Sequence, residues 1–332
     1  MILTKTRDRK TWIHLALWGT VAVLLGWTLR GIPIGQIWAT LTHIHPGTLV
    51  LLIAMNLLIL WLFGGRGWVI LRALGHRIPY RDQVTYRLAA FSVNYFTPGP
   101  QFGGEPLHIY LISRGQGIPW EDALTAVAVD RLFEFTVNTT FLILGLGVLI
   151  SLGMVPAAAH IPLVGGIGIL LALPLAYLMS LRRGIRPFAA ILRHARGRWG
   201  AIGGRLDGLA RSEAQAARLL REHPRAMLAA LGISLLTWGL LIGEYALMLW
   251  ALDVRLAPRQ LIAVMTAARI AFLFPTPGGL GALEAGQVLA LTALGYPPAV
   301  GISVSLIIRG RDIAVGILGA AWGLIHGRRA AE

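Results

Sequence analysis

Two short stretches combine acids with turn-forming residues in the same order. Pro98-Gly99-Pro100-Gln101-Phe102-Gly103-Gly104-Glu105 recurs in kind in the second half of the chain as Pro277-Gly278-Gly279-Leu280-Gly281-Ala282-Leu283-Glu284. In both, Pro-Gly opens the motif and Glu closes it at the same distance from the Pro. A charge cluster then lies inside the next apolar run, at nearly the same distance beyond the Glu in each half. It reads Asp130-Arg131-x-x-Glu134 in one and Arg309-x-Arg311-Asp312 in the other.

These residue types allow two kinds of chemistry. Glu105 and Glu284 stand where a chain turns and a helix starts, so the macrodipole and free backbone N–H groups favour a carboxylate there. The same carboxylates, remote from water, are also placed to titrate and to couple proton movement to substrate movement. Arg131 and Arg309 each have an acid three positions on, Glu134 and Asp312, which defines a self-neutralising helical pair. Guanidinium groups facing a cavity also hold a phosphate bidentately. Arg269 is a third candidate for such a contact, and Asp130 is a further acid of the first cluster. Glu244 has no acidic counterpart at the offset that relates the two tip glutamates, since Gly65 stands there. It is available as a partner for Arg269 or Arg309. The tip residues Pro98, Gly99, Gly103, Gly104, Pro277, Gly278, Gly279 and Gly281 permit tight turns and close backbone approach. Their N–H groups are suited to an anion nest.

The elements that must position these groups are membrane-spanning helices. The chain is 56% hydrophobic and only 14% charged over 332 residues, against about 25% charged in soluble domains. No water-soluble core absorbs that much apolar sequence. Six segments approach the ~20 apolar residues that a bilayer requires: 12–29, 47–74 (broken at Gly64-Gly65), 123–150, 161–181, 227–252 and 297–325. Two runs are too short, 83–96 and 260–274, and each leads through a tip into a shorter apolar stretch, 106–113 and 285–294. Short runs beside a Pro/Gly break read as re-entrant hairpins. The expected fold is thus an all-α polytopic membrane protein with six spans and two re-entrant hairpins, one integral domain over 1–332.

Charge gives the orientation. The net charge is +15, and 28 of the 30 cations are arginine. Eleven of them lie in the hydrophilic stretch 182–225, read as a basic cytoplasmic loop, while 31–46 and 151–160 hold no Lys, Arg, Asp or Glu. The positive-inside rule puts this loop and both termini in the cytoplasm. Arg66, Arg72, Arg77, Arg81 and Arg87 place the entrance of the first hairpin on the same side. The loop matches anionic lipid at the cytoplasmic surface better than nucleic acid. The segment 1–10 reads as a basic stub and 12–29 as a retained span rather than a cleaved signal.

Several motifs carry nothing further. With no cysteine, disulfides, thiolate catalysis and Cys-held metals are excluded. Glu105-x-x-His108 has metal-site spacing, yet the second copy has Gln287 at the equivalent place, and His43-x-His45 lacks a third ligand. No metal or cofactor is expected. Gly319-x-x-x-Gly323 reads as a helix-packing face, and Trp12, Trp18, Trp38 and Trp322 as interfacial anchors.

The unit of span, broken hairpin and charged span therefore occurs twice, at 47–150 and 226–325, with an odd number of crossings between the copies. Inverted repeats with discontinuous helices are an architecture of secondary transporters. At residues 98–105, Asp130-Arg131, 275–284 and Arg309 the chain resembles the flippase-like transmembrane domain of lysyl-phosphatidylglycerol synthases. Stand-alone relatives of that domain include a membrane protein associated with hopanoid biosynthesis. The resemblance covers roughly 47–325 and implies a lipid-translocating fold in the bacterial inner membrane. It departs from the family in two ways. No room remains after residue 332 for the synthases' aminoacyl-transferase domain, and His108 stands where many relatives carry Arg. The reading that follows is a translocase for an anionic, polyprenyl or hopanoid-type lipid, alone, as a homo-oligomer or with a biosynthetic partner. The alternatives are an accessory subunit of a lipid-biosynthesis machine and, third, a membrane-embedded transferase. Mirrored tips argue against an enzyme, because catalysis needs one asymmetric site with a nucleophile.

Overall fold

A computed structural model describes residues 44–97, 103–195, 203–273 and 277–329, together with Gly35, Trp38 and Thr42. Among these residues all regular structure is helical. In chain order the helices are α1 (Pro46–Ala73), α2 (Tyr80–Phe96), α3 (Glu105–Gln116), α4 (Trp120–Ser151), α5 (Ala157–Arg182), α6 (Pro187–Ala195), α7 (Gly203–Glu222), α8 (Pro224–Trp250), α9 (Pro258–Ala271), α10 (Ala282–Ala293) and α11 (Pro298–Arg329). A single 3-10 turn, Pro277–Gly279, precedes α10.

Four of these helices, α1, α4, α5 and α8, are long and apolar enough to cross a membrane. Their outer faces leave Leu57, Leu144, Leu173 and Leu228 more than half exposed, tolerable where lipid is the solvent. The first expected span, 12–29, lies outside the described residues. The last, 297–325, forms the 32-residue α11. Arg309, Arg311 and Asp312 in mid-helix keep it from being uniformly apolar. The two expected hairpins become short helices, α2 and α3 with 17 and 12 residues, and α9 and α10 with 14 and 12. At about 1.5 Å per residue none of the four reaches the ~30 Å of a hydrocarbon core.

The expected break at Gly64-Gly65 is not found: α1 runs unbroken through both residues. A Cβ on Gly64 would lie 2.6 Å from Val84 Cγ2, and one on Gly65 3.1 Å from the Tyr80 hydroxyl. These glycines let α2 approach α1 and do not interrupt the helix.

Packing interlocks the two ends of the chain. The long helix α11 lies along α2, α4 lies against α9, and α1 pairs with α8. The α11 contact is backbone-close at Gly319, where an added Cβ would fall 2.2 Å from the Leu88 carbonyl oxygen. Gly319 thus serves as the packing residue expected of it. Gly319→Ala must push α11 off α2, at about 1–3 kcal/mol by the usual cost of overpacking. Thermal unfolding of purified protein checks this against Gly232→Ala, which meets nothing within 4 Å and should be neutral or stabilising.

The described part of the stretch 182–225 is mostly helical. It forms α6 and α7, because its apolar residues recur at helical spacing among the arginines. The buried Glu213 carboxylate accepts the backbone N–H of Phe188 (3.0 Å) and Ala189 (2.6 Å) and the Tyr177 hydroxyl (3.1 Å), which fixes the start of α6. Helix α7 is clasped to the start of α4. Arg211 pairs with Glu121 at 2.7 Å, and Gln215 donates to Asp122 at 2.5 Å. Asp122 in turn contacts His76 in the α1–α2 connection at 2.6 Å. The exposed Arg72, Arg77 and Arg81, the start of α4 and the basic helices therefore share one end of the molecule.

Candidate functional site

Asp130, Arg131 and Glu134 project from the middle of α4, within about one turn, into the space between α1, α2 and α3. Asp130 is buried and lies between two arginines: Arg66 Nε of α1 at 2.5 Å and Arg87 Nη1 of α2 at 3.2 Å. Glu134 takes three arginines at once. Arg66 reaches it at 3.1 Å, Arg131 at 3.0 Å, and Arg87 donates a short hydrogen bond. Arg66 also donates to Ser234 Oγ of α8 at 3.2 Å, so the cluster joins the two ends of the chain. Arg131 pairs with Glu105 at the start of α3, 2.7 Å away.

The second cluster repeats one contact and changes another. Arg309 of α11 binds both carboxylate oxygens of Glu284, through Nε and through Nη2 at 2.7 Å. It also donates to the carbonyls of Gly278 (3.2 Å) and Gly279 (3.3 Å). Its side chain is 1% exposed. The expected pair of Arg309 with Asp312 is absent. Asp312 instead takes Arg311 at 2.8 Å, since residues two apart on a helix point about 200° from each other and only Arg309 faces the tip. Glu244 likewise pairs with neither Arg269 nor Arg309. It accepts Arg311 at 2.8 Å and the Asn56 amide at 3.0 Å.

The tips hold these glutamates through backbone N–H groups. Gly103 N–H donates to Glu105 at 2.8 Å, and Gly281 N–H donates to Glu284 at 2.9 Å. The second is the reach-back of a helix-start Glu to its cap. Gly104 N–H goes to the Asn94 side chain. Three of the donors expected to cradle an external anion, those of Gly103, Gly104 and Gly281, are thus occupied by the chain's own side chains. Gly278, Gly279 and Gly281 have φ of 55°, 65° and 78°, left-handed values that favour glycine. Pro98 and Gly99 lie outside the described residues, as does the side chain of Pro277.

Between the clusters lies a charged cavity of about 140 Å³. Its wall includes Arg87, Arg131, Glu134, Arg269, Arg311 and Asp312, from α2, α4, α9 and α11. It adjoins a second cavity of about 470 Å³, bounded by α1, α4, α5, α8 and α9 and largely apolar, within the ~300–1,000 Å³ of small-molecule sites. Arg131, Glu134 and Arg269 line both. Arg309 and Glu284 line neither, so the two tip arginines have different surroundings: Arg131 faces the cavities, Arg309 closes the second tip. The Arg269 guanidinium lies over the Trp238 ring, 4.9 Å from its centroid.

Arg66 and Arg87 enter the sequence analysis only as charges that orient the first hairpin, not as site residues. Both are buried. A signal was present. The offset between the starts of α1 and α8 equals that between the starts of α4 and α11, and it is one position shorter than the offset between the tip glutamates. At the helices' own offset, Glu244 aligns with Arg66, not with Gly65. Each is then the charge on its apolar helix that pairs with the cluster of the following long helix.

The comparisons bear on the whole arrangement. Residues 12–319 match the family described as "Lysylphosphatidylglycerol synthase TM region". A "UPF0104 membrane protein" of Methanothermobacter thermautotrophicus is 26% identical over 285 residues, 83% of this chain and 84% of that one. No solved structure matches. With the match running across both charge clusters and the cavities between them, the chain belongs to the lysylphosphatidylglycerol synthase TM-region family.

Proposed function

We propose that the protein is a lipid translocase of an inner membrane, with the charged cavity as its head-group site. One observation carries the reading. Each half ties its tip glutamate to an arginine of the following long helix, Glu105 to Arg131 and Glu284 to Arg309, and the cavity is lined from both halves. The halves, α1–α4 and α8–α11, are read as an inverted repeat and the short helix pairs as re-entrant hairpins, which meet near mid-membrane as in secondary transporters. Arginines on the cavity wall hold an anionic or polyprenyl-type head, and the apolar cavity admits the adjoining chain. Alternating access follows from rocking one half against the other, with Glu105 and Glu284 as gating carboxylates. The reading places both termini in the cytoplasm. It lays α6 and the turn before it in the cytoplasmic interface, with Ile185, Phe188 and Ile191 exposed toward acyl chains and Arg182, Arg183 and Arg186 toward anionic heads.

Leaflet-resolved lipid movement in proteoliposomes tests it. Anionic and polyprenyl-phosphate lipids should cross at a head-group-dependent rate. Glu105→Gln and Arg131→Ala should each cut that rate at least about tenfold, the loss of roughly one charge-assisted contact. No movement of any lipid by folded protein would leave an accessory role in lipid biosynthesis as the better account.

A further inference from the structure

The clusters hold six arginines, and five of them, Arg66, Arg87, Arg131, Arg309 and Arg311, have at least one carboxylate within ion-pair distance. Arg269 differs. Among the described residues it has no carboxylate at that distance and no hydrogen bond from its guanidinium, and only the Trp238 ring lies against it. An aromatic face offsets part of a cation's desolvation without supplying negative charge, and leaves the guanidinium's in-plane donors unengaged. Arg269 also stands on the wall shared by the charged and the apolar cavity. Arg131, on the same wall, has a buried Nε without a hydrogen-bond partner.

The acids of that wall are in the opposite condition. Glu134 already takes Arg66, Arg87 and Arg131, and Asp312 takes Arg311. A ligand entering the cavity therefore meets an uncompensated guanidinium and carboxylates whose charge is already matched by arginines.

We propose that the cavity selects a lipid phosphate whose head group carries no amine, with the phosphate on Arg269 and the chain in the apolar cavity beside it. The inference rests on the translocase reading for its lipid but stands on separate contacts. An ammonium, as in an ethanolamine or aminoacyl head, would face the like charge of an unpaired Arg269 and only carboxylates whose charge arginines already offset. A phosphate oxygen supplies the counter-charge that Arg269 lacks. Apolar side chains of α1, α5 and α8, among them Leu62, Leu170 and Ile233, line the adjoining space for the chain.

The test is binding by the purified full-length protein in detergent, read by native mass spectrometry with four probes: phosphatidic acid, phosphatidylglycerol, phosphatidylethanolamine and lysyl-phosphatidylglycerol. The two amine-free lipids should bind at least about tenfold more tightly than the two that carry amines. Arg269→Gln should abolish that preference while Arg269→Lys keeps most of it, so loss of fold in one variant does not remove the readout. Equal binding of lysyl-phosphatidylglycerol and phosphatidic acid by the unmodified protein would overturn the proposal, as would an undiminished preference in folded Arg269→Gln. Selective binding without movement in proteoliposomes would sink the translocase reading and leave this one standing. Movement of all four lipids with no selectivity in binding would do the reverse.

Discussion

Asp130→Ala is expected to destabilise the protein by about 3–5 kcal/mol, the range for removing one partner of a buried ion pair. The Asp130 side chain is 2% exposed and lies between Arg66 and Arg87, whose side chains are 10% and 8% exposed. Truncation leaves Glu134 to compensate Arg66 and Arg87 while it also holds Arg131. Denaturant or thermal unfolding of purified protein measures the loss. Adding Arg66→Met should restore part of it, since it removes one of the two orphaned charges, and contacting residues couple by about 0.5–3 kcal/mol. A stability change within about 0.5 kcal/mol would mean that the cluster is hydrated and that its ion pairs are weak surface ones.

The same cluster marks what a sequence can and cannot reveal here. Hydropathy was sufficient for the long helices, because about 20 apolar residues have few alternatives to crossing a bilayer. Recurrence was sufficient for the tip glutamates. The pairing of charges was legible within α4, where Arg131 and Glu134 meet as their spacing predicts, and not where it is decided between helices. Spacing along α11 nominated Asp312 for Arg309, but the tip faces Arg309 and gives it Glu284 instead. Arg66 and Arg87 served only to orient the first hairpin because the positive-inside rule counts arginines without knowing which are buried. Gly64-Gly65 looked like a break because a glycine that interrupts a helix and one that admits a neighbour are the same letter. The helical nature of 187–195 was hidden by the charge around it, although Phe188, Ile191 and Leu192 follow the i, i+3, i+4 spacing of one helix face. The displaced register between tip and helices hid the correspondence of Arg66 and Glu244.

That register matters for the last expectation, in which two pairs that look alike in sequence should separate by experiment. Arg309→Met should be the more damaging to stability, by about 3–5 kcal/mol, for it leaves a partly buried Glu284 unpaired together with two tip carbonyls. Glu284→Gln keeps a hydrogen-bonding side chain there, so the double variant Glu284→Gln/Arg309→Met should lose less than the sum of its parts, by about 1–3 kcal/mol. Arg131→Met should behave differently. Glu105 loses its one arginine but keeps two donors, the Gly103 N–H and the Asn94 amide. Glu134 keeps Arg66 and Arg87, and no backbone carbonyl loses a donor, so the stability loss should be smaller and the fold should hold. Lipid movement should nonetheless fall at least about tenfold, because Arg131 faces both cavities. The measurements are unfolding midpoints and leaflet-resolved flux on the same preparations. Stability lost at Arg309 with flux lost at Arg131 would assign the second tip as the fixed lock and the first as the moving gate. Equal stability losses at the two positions would refute that division and return both arginines to a purely structural role.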